Sequence, residues 1–387
     1  MSKRKAKLRT SFRKNRQVRT RRGDWTRQYV PGANKEGFDE EGSDAVHSER
    51  ISGKGELSRQ RTVVGEQVET EDGGFEVLRA VDLDACHAGR VIAVRGLQDV
   101  VETEDGVRYH CATRRLLKTM STDQRNAVVV GDRVLFRPVP TSEEIDEGII
   151  ERVEPRYGTI SRTSRNRQHV LVANVDQLLV VTSVAEPEIK PHLIDRFLVT
   201  AEKSGIRPVV CINKIDLADV ARVQPLVGVY SQLGYRVILV SATTGFGVDR
   251  LRRAMRGRQS AVAGQSGVGK SSLLNAVDEG LDLRTGHVSQ ESQKGRHTTT
   301  TAELFRLSFG GYVVDTPGIR QFQLWDVIPE EVAGFFRDLR PFVSMCRFPD
   351  CTHTHEEPCA VKDAAADGYI DIRRYESYLQ IRANEEP

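Results

Sequence analysis

Gly264-Gln265-Ser266-Gly267-Val268-Gly269-Lys270-Ser271 decides the fold of this chain, because of what stands on either side of it. The stretch fits G-x-x-x-x-G-K-S, a loop whose backbone N–H groups cradle phosphates. It follows the apolar run 261–263 and opens a helix-like stretch at 271–277. In most guanine-nucleotide-binding domains such a loop comes first, and Asp-x-x-Gly, Asn-Lys-x-Asp and Ser-Ala follow. Here Asn213-Lys214-Ile215-Asp216 and Ser241-Ala242 precede the loop, and only Asp315-Thr316-Pro317-Gly318 follows it. One site can be built from these pieces only if the domain is circularly permuted.

Each piece carries its own chemistry. In the loop from Gly264 to Ser272, the glycines let the chain curl and the helix N-terminus adds its positive end. Lys270 is expected to reach the β and γ phosphates, and Ser271 to ligate Mg²⁺. The Asp216 carboxylate matches the N1–H and N2–H₂ donors of guanine. Adenine would leave it unpaired, a difference that can reach roughly 10⁴-fold. Lys214 is expected to cover the base with its aliphatic stem, Asn213 to brace the loop, and Ser241-Ala242 to place a backbone N–H near O6. Asp315 is expected to hold Mg²⁺ through water, and the Gly318 N–H to sense the γ phosphate. Between these two phosphate motifs, Lys294-Gly-Arg-His-Thr-Thr-Thr-Thr301 is placed where a first switch should lie. Thr299 is favoured over Thr298 and Thr300 as its Mg²⁺ contact. Ile319 occupies the position where many such enzymes put a water-orienting Gln. Slow intrinsic turnover is therefore expected, with His297, a backbone group or a partner supplying the missing function. Gly267 stands where K⁺-dependent relatives carry Asn, so no K⁺ dependence is claimed.

Short apolar runs at 178–182, 209–212, 237–240, 261–263 and 312–314 read as strands, the middle three and the last ending directly before a motif. The stretch 191–203 reads as a helix, with Leu193, Ile194, Phe197, Leu198 and Ala201 on one face. This is an open, mostly parallel α/β sheet with ligands at the carboxyl ends of its strands.

Cys346-x₄-Cys351-x-His353-x₅-Cys359 packs three thiols and an imidazole into 14 residues. That set suits tetrahedral Zn²⁺ with no open position, a structural site; His355 is the competing ligand. Cys86, Cys111 and Cys211 are isolated. Six cysteines in 387 residues, half of them in this cluster, suggest no disulfide framework and a cytoplasmic protein. No run is long and apolar enough to span a bilayer, and no secretory signal opens the chain.

The net charge of +3 hides an asymmetry: residues 1–28 carry twelve Lys or Arg against Asp24, and residues 35–76 carry twelve acids against five bases. Both blocks are expected to be disordered, since neither can bury enough apolar surface to offset ordering entropy. The basic block reads as an RNA arm, a solubilising tail or, less well, a transit peptide. The acidic block reads as a linker or a mask for the arm. From 78 to 153, short β-rich runs separated by turns suggest a small barrel of OB type, either nucleic-acid-binding or merely packed on its neighbour.

With these residues in view, the chain resembles the ribosome small-subunit-dependent GTPase A family, RsgA. The likeness is carried by the permuted order, by 264–272, by Gly295-Arg-His-Thr-Thr-Thr300, by Asp315 to Gly318 and by Cys346…Cys351-Thr-His353…Cys359. Ala173-Asn-Val-Asp-Gln177 and Tyr375-x-x-Tyr378-Leu379 belong to it as well. The resemblance covers about residues 78–380 and implies a multidomain chain: an OB-fold, expected over 78–157, a circularly permuted P-loop GTPase domain over 158–328 and a helical zinc-binding domain over 329–387. The extension over 1–77, with its acidic stretch 35–76, departs from the family. The likeness implies a GTPase that acts late in maturation of the small ribosomal subunit and is stimulated by that subunit's rRNA; a monomer that binds GTP and GDP is expected. The rivals are a GTPase acting on another RNA or ribosomal complex, and a GTP-sensing RNA-binding factor with little catalysis.

Overall fold

The computed structural model describes residues 5–11, 60–69, 75–79, 81–96, 98–114, 117, 127–140, 146–164, 167–283, 302–315 and 327–383. They fall into two units, 1–157 with 161–174, and 158–160 with 175–387.

In the first unit β1 (Lys5–Ser11), β2 (Gln60–Glu69) and β3 (Phe75–Arg79) form an antiparallel sheet, with Lys5 opposite Glu66 and Leu8 opposite Val63. This differs from the disorder expected over 1–77. Composition averaged over that stretch hides the β-branched residues Thr62, Val63, Val64 and Val68, which favour strand. The rest of 1–59 lies outside the described residues.

The barrel follows: β4 (His87–Arg95), β5 (Gln98–Glu102), β6 (Arg108–Thr113), β7 (Arg133–Val139) and β8 (Glu147–Val153), in the order β4-β5-β6-β8-β7. β7 pairs back on β4, so the sheet closes, with β6 and β8 its parallel pair. That is the OB topology. Val91, Val101, Cys111, Val134, Phe136 and Ile150 fill it. Closure depends on Gly89, where a Cβ would stand 2.4 Å from Val101 Cγ1. β9 (Ile160–Ser164) and β10 (Arg167–Val172) pair with each other.

The second unit contains β11 (Gln177–Ser183), α1 (Pro191–Lys203), β12 (Arg207–Asn213), α2 (Val220–Gln232), β13 (Arg236–Leu239), α3 (Val248–Met255), β14 (Gln259–Ala263), α4 (Lys270–Val277), β15 (Glu303–Arg306) and β16 (Tyr312–Asp315). The sheet order is β13-β12-β11-β14-β16-β15, parallel except for β15–β16. Every residue of β11 and β14 is buried, as befits central strands covered on both faces. The permutation is visible as a splice. Only Arg256-Gly257-Arg258 connects α3 to β14, and the Gly257 N–H donates to Gly310 O at 3.0 Å. Asp176 and Gln177 clamp the far side of this splice. Asp176 accepts the Gln259 N–H at 2.6 Å, and the Gln177 amide donates to Ala254 O at 3.1 Å and Ser260 Oγ at 2.9 Å.

After the sheet come α5 (Val332–Phe335), α6 (Arg340–Val343), α7 (Ala360–Ala366) and α8 (Ile372–Arg382), packed around Phe336, Leu339, Val361 and Tyr378. α1 has the expected bounds and buries Ile194, Phe197, Leu198 and Ala201, but also Asp195. The reason is α8: Arg374 Nη1 donates to Asp195 Oδ1 at 2.5 Å while its Nε and Nη2 grip Asp338 at 3.0 and 2.9 Å. Phe336 lies 4.4 Å below the guanidinium. Arg374 and Asp195 are 2% and 0% exposed, so each charge needs the other to be tolerated there.

Candidate nucleotide-binding site and metal centre

The sheet brings the separated motifs to one edge. β12 ends at Asn213, β14 runs into the phosphate loop, and Ser241 follows β13. Asn213 ties the three together. Its Nδ2 donates to Val268 O in the phosphate loop at 2.9 Å, and its Oδ1 accepts the Ala242 N–H at 3.2 Å. The side chain is 1% exposed, so both bonds are shielded from water. Gly269 makes the approach possible: a Cβ there would meet Asn213 Nδ2 at 2.6 Å. Gly264, at φ +147°, packs its backbone against Val181 O in the same way.

Gly269 is the N-cap of α4. Lys270, half-buried, folds along the loop and donates to Gly264 O at 2.8 Å and Gln265 O at 2.7 Å. Ser266, Gly267 and Ser272 are exposed and Ser271 is half-buried, while Val268 is buried and anchors the loop in the core. Asp216 lies exposed on the single 3₁₀ turn Ile215–Leu217, held by the Ile215 N–H to Val240 O at 3.3 Å. Lys214, at φ +58°, sends its Nζ to Glu186 O in the 184–190 loop. Ser241, fully buried, braces its turn by accepting the Thr244 N–H at 3.1 Å.

Asp315 ends β16 beside β14. His297, Thr298, Thr299, Thr300, Gly318 and Ile319 lie outside the described residues.

Cys346, Cys351, His353 and Cys359 converge, their ligand atoms all within 4.8 Å of one another. Cys346 and Cys351 Sγ each stand 3.8 Å from Cys359 Sγ, and His353 Nδ1 stands 3.4 and 3.5 Å from the sulfurs of Cys346 and Cys359. Tetrahedral Zn²⁺ at about 2.3 Å from sulfur and about 2.0 Å from nitrogen separates its ligands by about 3.8 Å (S–S) and about 3.5 Å (S–N). The donor set and its spacing fit a metal ion. His355, the competing ligand, instead meets Thr354 Oγ1 at 3.0 Å. The loop is braced from outside the cluster: Tyr375 and Tyr378 hydroxyls donate to His353 O at 2.8 Å and Thr352 O at 2.6 Å. Glu356 accepts the Thr352 hydroxyl at 2.5 Å and the Thr352 and Thr354 N–H groups at 2.7 and 3.1 Å, and these bonds, the hydroxyl's foremost, hold its carboxyl well below the usual range.

Comparison with known proteins agrees with this geometry. The family described as RsgA GTPase matches residues 153–325. The "Small ribosomal subunit biogenesis GTPase RsgA" of Chlorobaculum parvum is 41% identical over 302 residues, covering 76% of this chain and 96% of the relative. The chain belongs to the RsgA family of GTPases. Another RsgA, from Thermotoga maritima, is 41% identical over 297 residues, covering 76% of this chain and 95% of the relative. The crystal structure of YjeQ from Thermotoga maritima superposes with a TM-score of 0.63 at 37% identity, covering 77% of this chain and 98% of that one. YloQ, titled a circularly permuted GTPase, gives 0.61 at 28%, covering 80% and 99%. The chain is thus a GTP hydrolase with an OB-type barrel, a permuted P-loop domain and a Cys₃His cluster. Among the described residues no helix is long and apolar enough to cross a membrane.

Sequence reasoning missed two groups. The first is Asp195, Asp338 and Arg374; its one signal is a carboxylate beside Ile194 on an otherwise apolar helix face. The second explains Ala173-Asn-Val-Asp-Gln177. Asn174, at φ +59°, ties Tyr157 N to Gly131 O in the first unit (3.2 and 2.9 Å), and Asp176 and Gln177 hold the splice in the second. No local pattern announces either role.

Proposed function

We propose that this GTPase binds the small ribosomal subunit, assists its late maturation, and hydrolyses GTP to GDP and phosphate when the subunit is in place. The supporting observation is Asn213, whose two buried bonds draw the base-reading and phosphate-reading loops into one site in a chain that matches subunit-biogenesis relatives over nearly their whole length. In this reading the backbone from Gly264 to Ser272 cradles the phosphates and Lys270 offsets their charge. Ser271, Thr299 and water held by Asp315 surround Mg²⁺, and the Gly318 N–H senses the γ phosphate. Asp216, with Lys214 and the Ala242 N–H, selects guanine. Zn²⁺ is the ion suited to Cys346, Cys351, His353 and Cys359, where it has a structural role. The protein works as a cytoplasmic monomer, with rRNA as the partner that stimulates it.

The Ile319 side chain can neither donate nor accept a hydrogen bond, so intrinsic turnover is slow and His297 or the subunit positions the attacking water. The test is phosphate release from GTP, alone and with isolated small subunits, large subunits or tRNA. Stimulation by small subunits only, abolished by Lys270→Ala, is expected. Equal stimulation by tRNA or large subunits excludes this partner, and no stimulated release from any of them leaves only a GTP-sensing factor.

A further inference from the structure

The stretch Val248-Asp-Arg-Leu-Arg-Arg-Ala-Met-Arg-Gly-Arg258 spans α3 and the splice, and carries five arginines against one acid. Val248, Leu251, Ala254 and Met255 turn into the core. The polar remainder therefore shares the outer face. Arg252 is engaged: it pairs with Asp249 at 2.6 Å and donates to Val277 O at 3.0 Å. Arg250, Arg253 and Arg256 are exposed, and none has an ion-pair partner among the described residues.

These three follow one another at intervals of three, which sets them in a row on the surface, about 5–6 Å from one to the next. The row is about 9 Å long at 1.5 Å per residue. Cations in a last helical turn favour the dipole, which accounts for Arg253 and Arg256. It does not account for Arg250 in the first turn, where a cation is unfavourable, nor for a row that no carboxylate pairs with among the described residues, Asp249 being engaged by Arg252. The outer face of α2 gives the contrast within the same domain, since Arg222 is the only base on that helix.

We infer that the Arg250–Arg253–Arg256 row is a docking face for the phosphate backbone of structured RNA in the small subunit, reached from the GTPase domain itself. This rests on the function proposed above and adds a contact surface to it. A nucleic-acid strand carries one charge per about 3.4 Å of axis, so the row faces two or three successive phosphates. Unpaired guanidinium groups suit them, since each can form a two-pronged charge-assisted bond. Contacts of this kind fix register and affinity without reading sequence.

The test uses the full-length protein bound to a non-hydrolysable GTP analogue. Its affinity for isolated small subunits, and for the rRNA extracted from them, is measured over a series of salt concentrations. The variant Arg250→Gln/Arg253→Gln/Arg256→Gln is compared with Arg207→Gln/Arg222→Gln/Arg236→Gln, which removes the same charge from other exposed positions. For three lost contacts the salt slope should fall by about 2 to 3, at about 0.7–0.9 per phosphate, on both ligands. The scattered variant should keep the wild-type slope, and all three proteins should bind GTP within twofold of each other. If the row variant keeps the wild-type slope on subunits, or the scattered variant loses as much, the docking face is wrong while the proposed function stands. A loss on intact subunits but not on extracted rRNA assigns the row to an acidic ribosomal protein and overturns the RNA assignment. If the wild type binds neither ligand, the proposed function falls, and this inference with it.

Discussion

Asn213 and Cys359 each sit at the centre of a loop-built site, but the two sites are held by opposite means. The nucleotide loops leave the ends of β12, β13 and β14, and Asn213 joins them with neutral hydrogen bonds under cover of the core. Their geometry is set by the sheet. The segment from Cys346 to Cys359 contains no helix or strand. Its four ligands converge on one point; two tyrosine hydroxyls brace it from outside and the Glu356 carboxylate from within. The first site is a product of the fold, whereas the second carries a donor set through which a metal ion could supply much of its folding free energy.

The sharpest way to break this contrast is to remove the metal. Apparent binding free energies of structural zinc sites are about 10–16 kcal/mol, comparable to the whole stability of a domain. A strong chelator, or Cys359→Ser, should expose the amides of α7 and α8 to hydrogen exchange while GTP affinity changes less than fivefold. Unchanged protection of α7 would mean that the hydrophobic packing around Phe336 and Tyr378 suffices without an ion. A parallel collapse of GTP binding would mean that the sites are not independent, with Arg374 and Asp195 transmitting the loss.

Asn213→Ala probes the other side of the comparison. It strands Val268 O and the Ala242 N–H in a shielded place, at about 1–3 kcal/mol for each group left unpaired. Because the same contacts hold the phosphate loop against the base-reading loop, GTP affinity should fall by about 10- to 100-fold, with the metal cluster unaffected. Titration of GTP against both proteins checks this. An affinity within twofold of wild type would show that the sheet alone positions the loops.

The same contrast governs what the sequence made legible. Strand ends and phosphate-binding glycines are local, so β11, β12, β13, β14, β16 and the edges of the nucleotide site could be located from residue pattern and motif order. The four metal ligands were local too, but the choice of His353 over His355 was not. It depends on the left-handed turn at His353, φ +57°, and on Tyr375 from a helix 22 residues away. Asp195 and Arg374 are 179 residues apart, and no periodicity links them. The sheet of β1, β2 and β3 was hidden because charge averaged over a long stretch conceals a short run of β-branched residues.

The smallest expected effect tests how much help α8 needs in presenting Tyr375 and Tyr378 to the metal loop. Asp371 caps that helix by accepting the Arg373 N–H at 3.0 Å, and it also pairs with the Arg373 side chain at 2.8 and 2.9 Å. The Arg373 side-chain bond is the main cause that lowers its carboxyl below the ordinary value. A depressed carboxyl adds stability above its unfolded value, about pH 3.9, and loses it as pH falls through the folded value. Asp371→Asn keeps a cap acceptor and removes only the charge. Arg373 is partly exposed, so the difference from wild type at neutral pH should stay below about 1 kcal/mol. Denaturant unfolding of both proteins from pH 7 downward should show this gap closing below about pH 4. A gap that persists there would mean that the asparagine caps poorly and that the ion pair contributes nothing.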